Sequence, residues 1–152
     1  MKHLSPNMEM YLKTILRLEP SDGSGVRVKE IAESLSVTKP SVSEALRSLT
    51  ARGLVVHPAY GVVRLSARGR RAATDISHRY EVLRTFFAEI LRVDERIAAH
   101  DACEIEHVVG AQTLRRLTAF VVYATRRGAD ASPVVSGFEK YLLNESTGRR
   151  GA

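Results

Sequence analysis

Residues 28–53, VKEIAESLSVTKPSVSEALRSLTARG, decide the fold of the chain. Val28–Leu35 has the apolar spacing of a short helix, and Ser36–Val37 is long enough only for a turn. Thr38 is a good N-cap for a second helix, which we predict over Lys39–Arg52. The apolar side chains expected to face a core are Ile31, Ala32, Leu35, Val42, Ala45, Leu46 and Leu49. The segment therefore predicts two helices joined by a tight turn.

Elements on both sides complete a known arrangement. Upstream, Glu9–Leu18 has the periodicity of an amphipathic helix, and Pro20–Gly25 has the composition of a loop. Downstream, Leu54–Val56 and Val62–Leu65 are β-rich runs separated by the turn-like stretch His57–Gly61. Helices joined by a turn and followed by a hairpin form a winged helix-turn-helix.

The second half of the chain has helical periodicity throughout. Ser66 can cap a long helix that continues to Leu91, and another helix is predicted over Arg96–Val109. A further helix is expected over Thr113–Arg126, and a short one over Phe138–Leu143. The chain is therefore predicted to be mainly α, with an all-helical second domain.

Positive charge is concentrated in the first half of the chain. Residues 1–72 carry 12 Lys and Arg against 6 Asp and Glu, whereas residues 73–152 carry 11 of each kind. We predict a winged helix-turn-helix domain at residues 1–72, a helical domain at residues 73–145 and a flexible tail at residues 146–152. A localised positive field suits a polyanionic partner, although a solubilising surface charge explains the same numbers.

The start of the second helix of the motif is the candidate element for reading double-stranded DNA. In a winged helix this helix enters the major groove while the hairpin wing reaches the neighbouring phosphates. Glu44 is the only acid on this face, and a glutamate can accept a hydrogen bond from cytosine N4. The candidate DNA-binding residues are Arg27, Thr38, Lys39, Pro40, Ser41, Ser43, Glu44 and Arg47. A protein-binding module with the same fold is the alternative.

A second candidate site lies in the predicted helix of the other half. Cys103, Glu106 and His107 are spaced i, i+3 and i+4, which places them on one helical face. A thiolate, a carboxylate and an imidazole suit a first-row transition metal, because the soft cysteine ligand disfavours Mg²⁺ and Ca²⁺. His100 could extend the same stripe. From spacing alone, a solvated polar face with a small core cysteine is the alternative.

The composition also limits where the protein acts. Cys103 is the only cysteine, which excludes an internal disulfide and favours the reducing cytoplasm. No apolar run approaches the roughly 20 residues of a membrane span. The first residues are followed by polar sequence rather than by the apolar core of a signal peptide. We therefore expect a cytoplasmic protein with no membrane partner.

The same residues resemble a known family in order and spacing over nearly the full length. The matching segments are Glu9–Leu12, Ile31–Leu35, Pro40–Ser43, Gly53–Val55 and Glu106–His107. In these segments the chain is similar to the diphtheria-toxin-repressor family of iron- and manganese-dependent transcriptional regulators. The resemblance implies a repressor of metal homeostasis that binds a palindromic operator as a homodimer. It also implies that metal binding orders the N-terminal helix into an arrangement competent for DNA.

Carried over position by position, the resemblance implies a metal site formed by Met10, Cys103, Glu106 and His107. Met10 comes from the first helix, so a bound metal would hold that helix to the predicted helix that carries the other three ligands. The methionine and cysteine pair resembles the iron-sensing branch of the family, which favours Fe²⁺, with Mn²⁺ next.

The sequence departs from the family at the second metal site. Tyr80 and Arg84 stand where the family usually has a histidine and a glutamate, and Lys13 stands where the manganese branch has a glutamate. This site is therefore expected to be absent, or rebuilt from His78 or His100. Arg84 and Lys13 could instead supply the positive charge of a metal. The length also leaves no room for the SH3-like domain of longer members.

Three further expectations concern partners and alternatives. The sensor half is rich in apolar residues, which a homodimer would cover, although an intramolecular core is the alternative. They are Val108, Val109, Leu114, Leu117, Phe120, Val121 and Val122. A metal-independent winged-helix regulator that has lost the sensor is the second functional candidate. A thiol enzyme using Cys103 and His107 is a remote one, since no substrate pocket or oxyanion donor is evident.

Overall fold

The computed structural model describes residues 4–58, 61–126 and 132–148, with side chains described through residue 144. These residues form seven α-helices, one π-helical turn and one two-stranded antiparallel hairpin. In chain order the elements are α1 (Pro6–Leu18), α2 (Val28–Leu35), α3 (Lys39–Ala51), β1 (Val55–Val56), β2 (Arg64–Leu65), α4 (Ala67–Thr85), the π-helical turn (Phe86–Ile90), α5 (Glu95–Ile105), α6 (Ala111–Thr125) and α7 (Pro133–Gly148). The mainly α prediction is confirmed.

The chain divides into two compact units, residues 1–77 and residues 78–152. The division falls within α4 and lies five residues after the boundary predicted from charge and periodicity. Each unit has its own cluster of buried apolar side chains.

In the first unit, local capping sets the two helices of the motif. α2 has the predicted bounds, and its last turn is closed by Ser36 in the left-handed conformation (φ 53°). Thr38 caps α3 as predicted, with its Oγ1 accepting a hydrogen bond from the Ser41 N–H at 3.4 Å. Gly53, with φ +68°, follows the end of α3. The core of this unit joins side chains with 0% exposure from α1, α2 and α3: Leu12, Ile15, Ile31, Val42, Leu46 and Leu49.

The wing is a shorter hairpin than the β-rich runs predict. Val55 pairs with Leu65 and Val56 with Arg64. A separate bridge joins Val26 to Val63, so the loop before α2 adds a third chain segment to the wing. The tip of the predicted turn, residues 59–60, lies outside the described residues. The residue before Arg64, Val63, forms its bridge with Val26 rather than with the residue that follows Val56.

The helix after the wing begins as predicted but changes form before Leu91. Ser66 Oγ accepts a hydrogen bond from the Gly69 N–H at 2.9 Å, which confirms it as the cap of α4. The predicted continuous helix ends at Thr85, and Phe86–Ile90 forms a π-helical turn. The Leu91 N–H donates to the Phe86 carbonyl at 3.0 Å, five residues back. Sequence periodicity does not resolve such a change of hydrogen-bond step.

Two helix predictions in the second unit are wrong in extent. α5 ends at Ile105 rather than Val109, because the Val108 N–H bonds the Ile105 carbonyl (3.0 Å) and closes a tight turn. α7 runs over Pro133–Gly148, much longer than the predicted Phe138–Leu143. Its first turn is anchored by Val135, which is fully buried. The predicted tail at 146–152 begins as helical backbone to Gly148, and residues 149–152 lie outside the described residues.

Candidate DNA interface and metal site

One face of α3 is polar and open to solvent. Val42, Leu46 and Leu49 are fully buried on the opposite side, so the core fixes which residues point outward. Every predicted DNA-binding residue is exposed: Arg27, Thr38, Lys39, Pro40, Ser41, Ser43, Glu44 and Arg47. Seven of these residues belong to α3 or its N-cap, the part of the motif that enters a groove in other winged helices, whereas Arg27 is the N-cap of α2.

Hydrogen bonds organise the start of α3. The Thr38 Oγ1 and Ser41 Oγ atoms lie 2.9 Å apart, and Ser43 Oγ donates to the Lys39 carbonyl at 3.0 Å. These hydroxyls lie at the start of α3, where Thr38 Oγ1 also accepts a hydrogen bond from the Ser41 N–H. The positive end of the helix dipole adds to this donor set, which suits a phosphate.

Glu44 has a neighbour that the sequence did not reveal. Burial and the Glu44 carboxylate, in that order, raise the pKa of the Tyr11 hydroxyl above its usual value. Tyr11 is only 2% exposed and belongs to α1. Glu44 therefore lies where the exposed face of α3 approaches α1. Its approach to Tyr11 depends on packing between helices, for which the sequence carries no signal.

A groove at the base of the wing places His57, which the sequence did not single out, near the predicted Arg27. The volume of this groove is about 610 Å³. Arg27 borders it, and the Arg27 backbone N–H donates to Glu30 Oε2 at 2.7 Å. His57 lines the same groove, and its buried Nδ1 has no hydrogen-bond partner among the described residues. His57 follows β1 directly, which is the one sequence signal that could have placed it here.

In the second unit, two of the predicted metal ligands lie side by side. Glu106 caps the end of α5 and is 1% exposed, while its Oε1 lies 3.7 Å from His107 Nε2. Cys103 is exposed on α5. Within the described ranges, no three His, Cys, Asp or Glu side chains are gathered closely enough to hold a metal ion. The thiol is thus the donor that stands apart from the pair.

The backbone nevertheless suits the donor set. Glu106 keeps α-helical dihedrals (φ −53°, ψ −27°), and its N–H bonds the Ala102 carbonyl at 3.0 Å. Residues three apart on such a backbone have Cβ atoms about 5–6 Å apart. A rotation of the Cys103 side chain, without movement of the helix, can therefore bring the thiolate towards Glu106. The residues present fit a transition metal in type and spacing.

The remaining predicted ligands lie on α1, α4 and α5. Met10 is half-buried on α1 of the first unit, next to the buried Tyr11. His78 and His100, the candidates for an additional site, are both exposed, on α4 and α5.

Arg84, which departs from the family pattern at the expected second metal site, forms two ion pairs. Its Nη1 lies 2.5 Å from Glu95 Oε1, and its Nε lies 3.4 Å from Glu81 Oε2. Burial disfavours the charged guanidinium, but the two carboxylates outweigh this effect and raise the pKa of Arg84. A fixed cation therefore joins α4 to the first turn of α5.

The apolar residues predicted to cover a dimer interface divide between a core and the surface of the second unit. Val121 is buried, and Leu114 and Leu117 pack against the same cluster, so these three serve the fold of the unit itself. Other large apolar side chains of this unit are exposed: Ile97, Val108, Phe120, Val122, Tyr123, Tyr141, Leu142 and Leu143. The described helices include none that is both long and apolar enough to cross a membrane.

Two family models match successive parts of the chain. Residues 3–63 match the family described as iron dependent repressor, N-terminal DNA binding domain. Residues 66–128 match the iron dependent repressor metal binding and dimerisation domain. The chain is 32% identical to the diphtheria toxin repressor of Corynebacterium diphtheriae, over 77% of this chain and 51% of that protein. It is 26% identical to an uncharacterized HTH-type transcriptional regulator of Methanocaldococcus jannaschii, over 78% of this chain and 94% of that protein.

Solved structures show the same similarity. A manganese-dependent transcriptional repressor in complex with manganese superposes with a TM-score of 0.67 at 32% identity, covering 75% of this chain and 52% of that one. A hypothetical protein from Sulfolobus solfataricus shares the fold, with a TM-score of 0.62 at 22% identity over 78% of this chain and 89% of its own. The chain thus spans about half the length of the characterised repressors it matches.

Proposed function

Because the chain belongs to the diphtheria-toxin-repressor family of iron-dependent regulators, we propose that it represses transcription when a divalent transition metal activates it for DNA binding. The family is one of DNA-binding regulators, which leaves no place for the thiol enzyme considered from the sequence. The exposed polar face of α3, backed by a fully buried apolar face, is the observation that carries the proposal. We place its action in the cytoplasm, with the DNA.

DNA would be read by the start of α3 and held through its phosphates by the flanking cations. Lys39 and Arg47 would contact the backbone of the duplex, as would Arg27 at the base of the wing. Glu44 would read a cytosine edge. A homodimer formed through the exposed apolar residues of the second unit would match a palindromic operator, because its two reading helices are related by a two-fold axis.

The metal would be held by Met10, Cys103, Glu106 and His107. A bound ion supplies the binding energy that keeps α1 and the sensor domain in one arrangement. The donor set of thioether, thiolate, carboxylate and imidazole favours Fe²⁺, with Mn²⁺ next. The buried Glu106 carboxylate beside His107 supports this assignment, since both donors are already adjacent.

A metal-independent regulator is the second candidate, and the ion pairs of Arg84 favour it. A guanidinium held by Glu81 and Glu95 already supplies positive charge in the sensor domain without any ion. In this alternative the winged helix binds its operator constitutively.

DNA binding with and without metal separates the two candidates. An operator is selected from random sequence, and its affinity is measured anaerobically with Fe²⁺, with Mn²⁺ and with a chelator. We expect binding to require metal and to be lost in Cys103→Ala. Glu104→Ala is the matched control, because Glu104 is an exposed acid adjacent to Cys103 and outside the proposed set. Equal affinity under all conditions would establish the metal-independent regulator instead.

A further inference from the structure

A large cleft of the first unit is lined by other residues than the polar face of α3. It has a volume of about 850 Å³, within the range of small-molecule sites. It lies between the end of α3 and the first turns of α4, beside the residue that precedes the N-cap of α1. Its lining residues are Leu4, Ala51, Arg52, Leu54, Arg68, Arg71, Ala72 and Asp75.

The walls of this cleft are held by hydrogen bonds between the two segments. Ser66 donates from its N–H to the Leu54 carbonyl (3.0 Å) and from its Oγ to the Gly53 carbonyl (2.7 Å). Arg68 Nη1 donates to the Arg52 carbonyl at 3.3 Å. A Cβ on Gly69 would lie 1.8 Å from the Leu54 carbonyl oxygen, so α4 can approach this closely only at a glycine. The cleft is therefore formed before any ligand arrives.

The charges of the cleft are unbalanced. Three arginines, Arg52, Arg68 and Arg71, line it together with a single acidic residue, Asp75. None of these four side chains forms an ion pair within the part of the chain that the structure describes. Arg68 and Arg71 each use one N–H on a backbone carbonyl, at 3.3 Å and 3.4 Å, and keep further donors for an anion.

The rest of the lining is apolar. Leu4, Ala51, Leu54 and Ala72 contribute hydrocarbon surface beside the guanidinium groups. A phosphate of the DNA backbone would leave this surface unused, whereas an amphipathic molecule would cover it while pairing its charge with arginine. We propose that the cleft binds a small organic anion, a carboxylate with an apolar body. This site is independent of metal and DNA binding and goes beyond the proposed function.

Titration of the full chain with decanoate tests the proposal in the absence of metal and DNA. Decanoate is used below its micellar concentration, with decanol and decyltrimethylammonium as neutral and cationic probes of equal chain length. We expect saturable decanoate binding that shifts the NMR methyl signals of Leu54 and Ala72. Decyltrimethylammonium should produce no saturable shift, and decanol should bind at least tenfold more weakly.

Variants assign the charge requirement to this cleft. The double variant Arg68→Gln/Arg71→Gln should weaken decanoate binding at least tenfold. Arg96→Gln/Arg116→Gln removes the same charge from exposed positions of the second unit and should leave it unchanged. The proposal is overturned if decanoate fails to saturate the methyl shifts, if decanol binds equally well, or if the first double variant binds like the wild type. Operator binding is measured separately, so a failure here leaves the repressor assignment unaffected.

Discussion

Replacing Lys39 by glutamine tests whether the start of α3 contacts the DNA backbone. Lys39 is exposed in the first turn of α3, beside the hydroxyls of Thr38 and Ser41. If its ammonium neutralises a phosphate, it releases a condensed counterion on binding. The variant should then bind more weakly, and its affinity should depend less steeply on salt. The fold should be unaffected, since the side chain makes no core contact.

The size of the change in salt dependence follows from the number of protein subunits bound to the operator. Each phosphate contact contributes about 0.9 to the slope of log K against log salt concentration, so a dimer loses about 1.8. Between about 50 and 200 mM salt, the affinity advantage of the wild type should therefore shrink about twelvefold. A single subunit on the DNA would lose about half of that slope.

Fluorescence anisotropy with a labelled operator at four or more salt concentrations measures both slopes. Lys140→Gln is the matched control, because Lys140 is an exposed lysine of α7 in the other unit. Its slope should equal that of the wild type. Parallel lines for Lys39→Gln and the wild type would refute a phosphate contact at Lys39, whatever the absolute affinities.

Three further predictions concern stability and the sensor. Gly69→Ala should destabilise the first unit by roughly 3 kcal/mol in urea unfolding, because the new Cβ meets the Leu54 carbonyl oxygen. The control Gly137→Ala has open space around the new Cβ and should not destabilise α7. Because folding raises the pKa of Tyr11, its contribution to stability should be fully present below the usual tyrosine pKa of about 10 and decline as the pH rises above it. Tyr11→Phe should flatten that decline of the free energy of unfolding with pH. Arg84→Gln should lower the melting temperature of the metal-free protein, and an unchanged temperature would contradict a structural role for its two ion pairs.

The motif could be predicted from the sequence because its determinants are local. Thr38 caps α3 through a residue only three positions away, and the bounds of α2 follow from apolar spacing and a turn. The π-helical turn and the early end of α5 could not be predicted in this way. Both depend on which carbonyl each N–H selects, as the Leu91 and Val108 bonds show. Apolar periodicity carries no information about that selection.

The candidate sites also differ in how far local sequence determines them. The exposed face of α3 follows from the helical pattern, since Val42, Leu46 and Leu49 fix its orientation. Residue type and spacing also suggest Glu106 and His107, which the structure places side by side. The long-range neighbours need the fold: the wing groove around His57 and the cleft beside Leu54 both join segments far apart in the sequence.

The first helix has two adjacent residues with different tasks. Met10 is the proposed metal ligand, and Tyr11 is buried where its hydroxyl feels the Glu44 carboxylate of α3. Neighbouring residues of a helix point about 100° apart, so one turn of α1 can face a metal and the reading helix at once. A metal that holds Met10 would therefore restrict the same turn that carries Tyr11. The proposed metal site would thus give α1 a physical route for communicating metal binding to α3 through packing within the first unit.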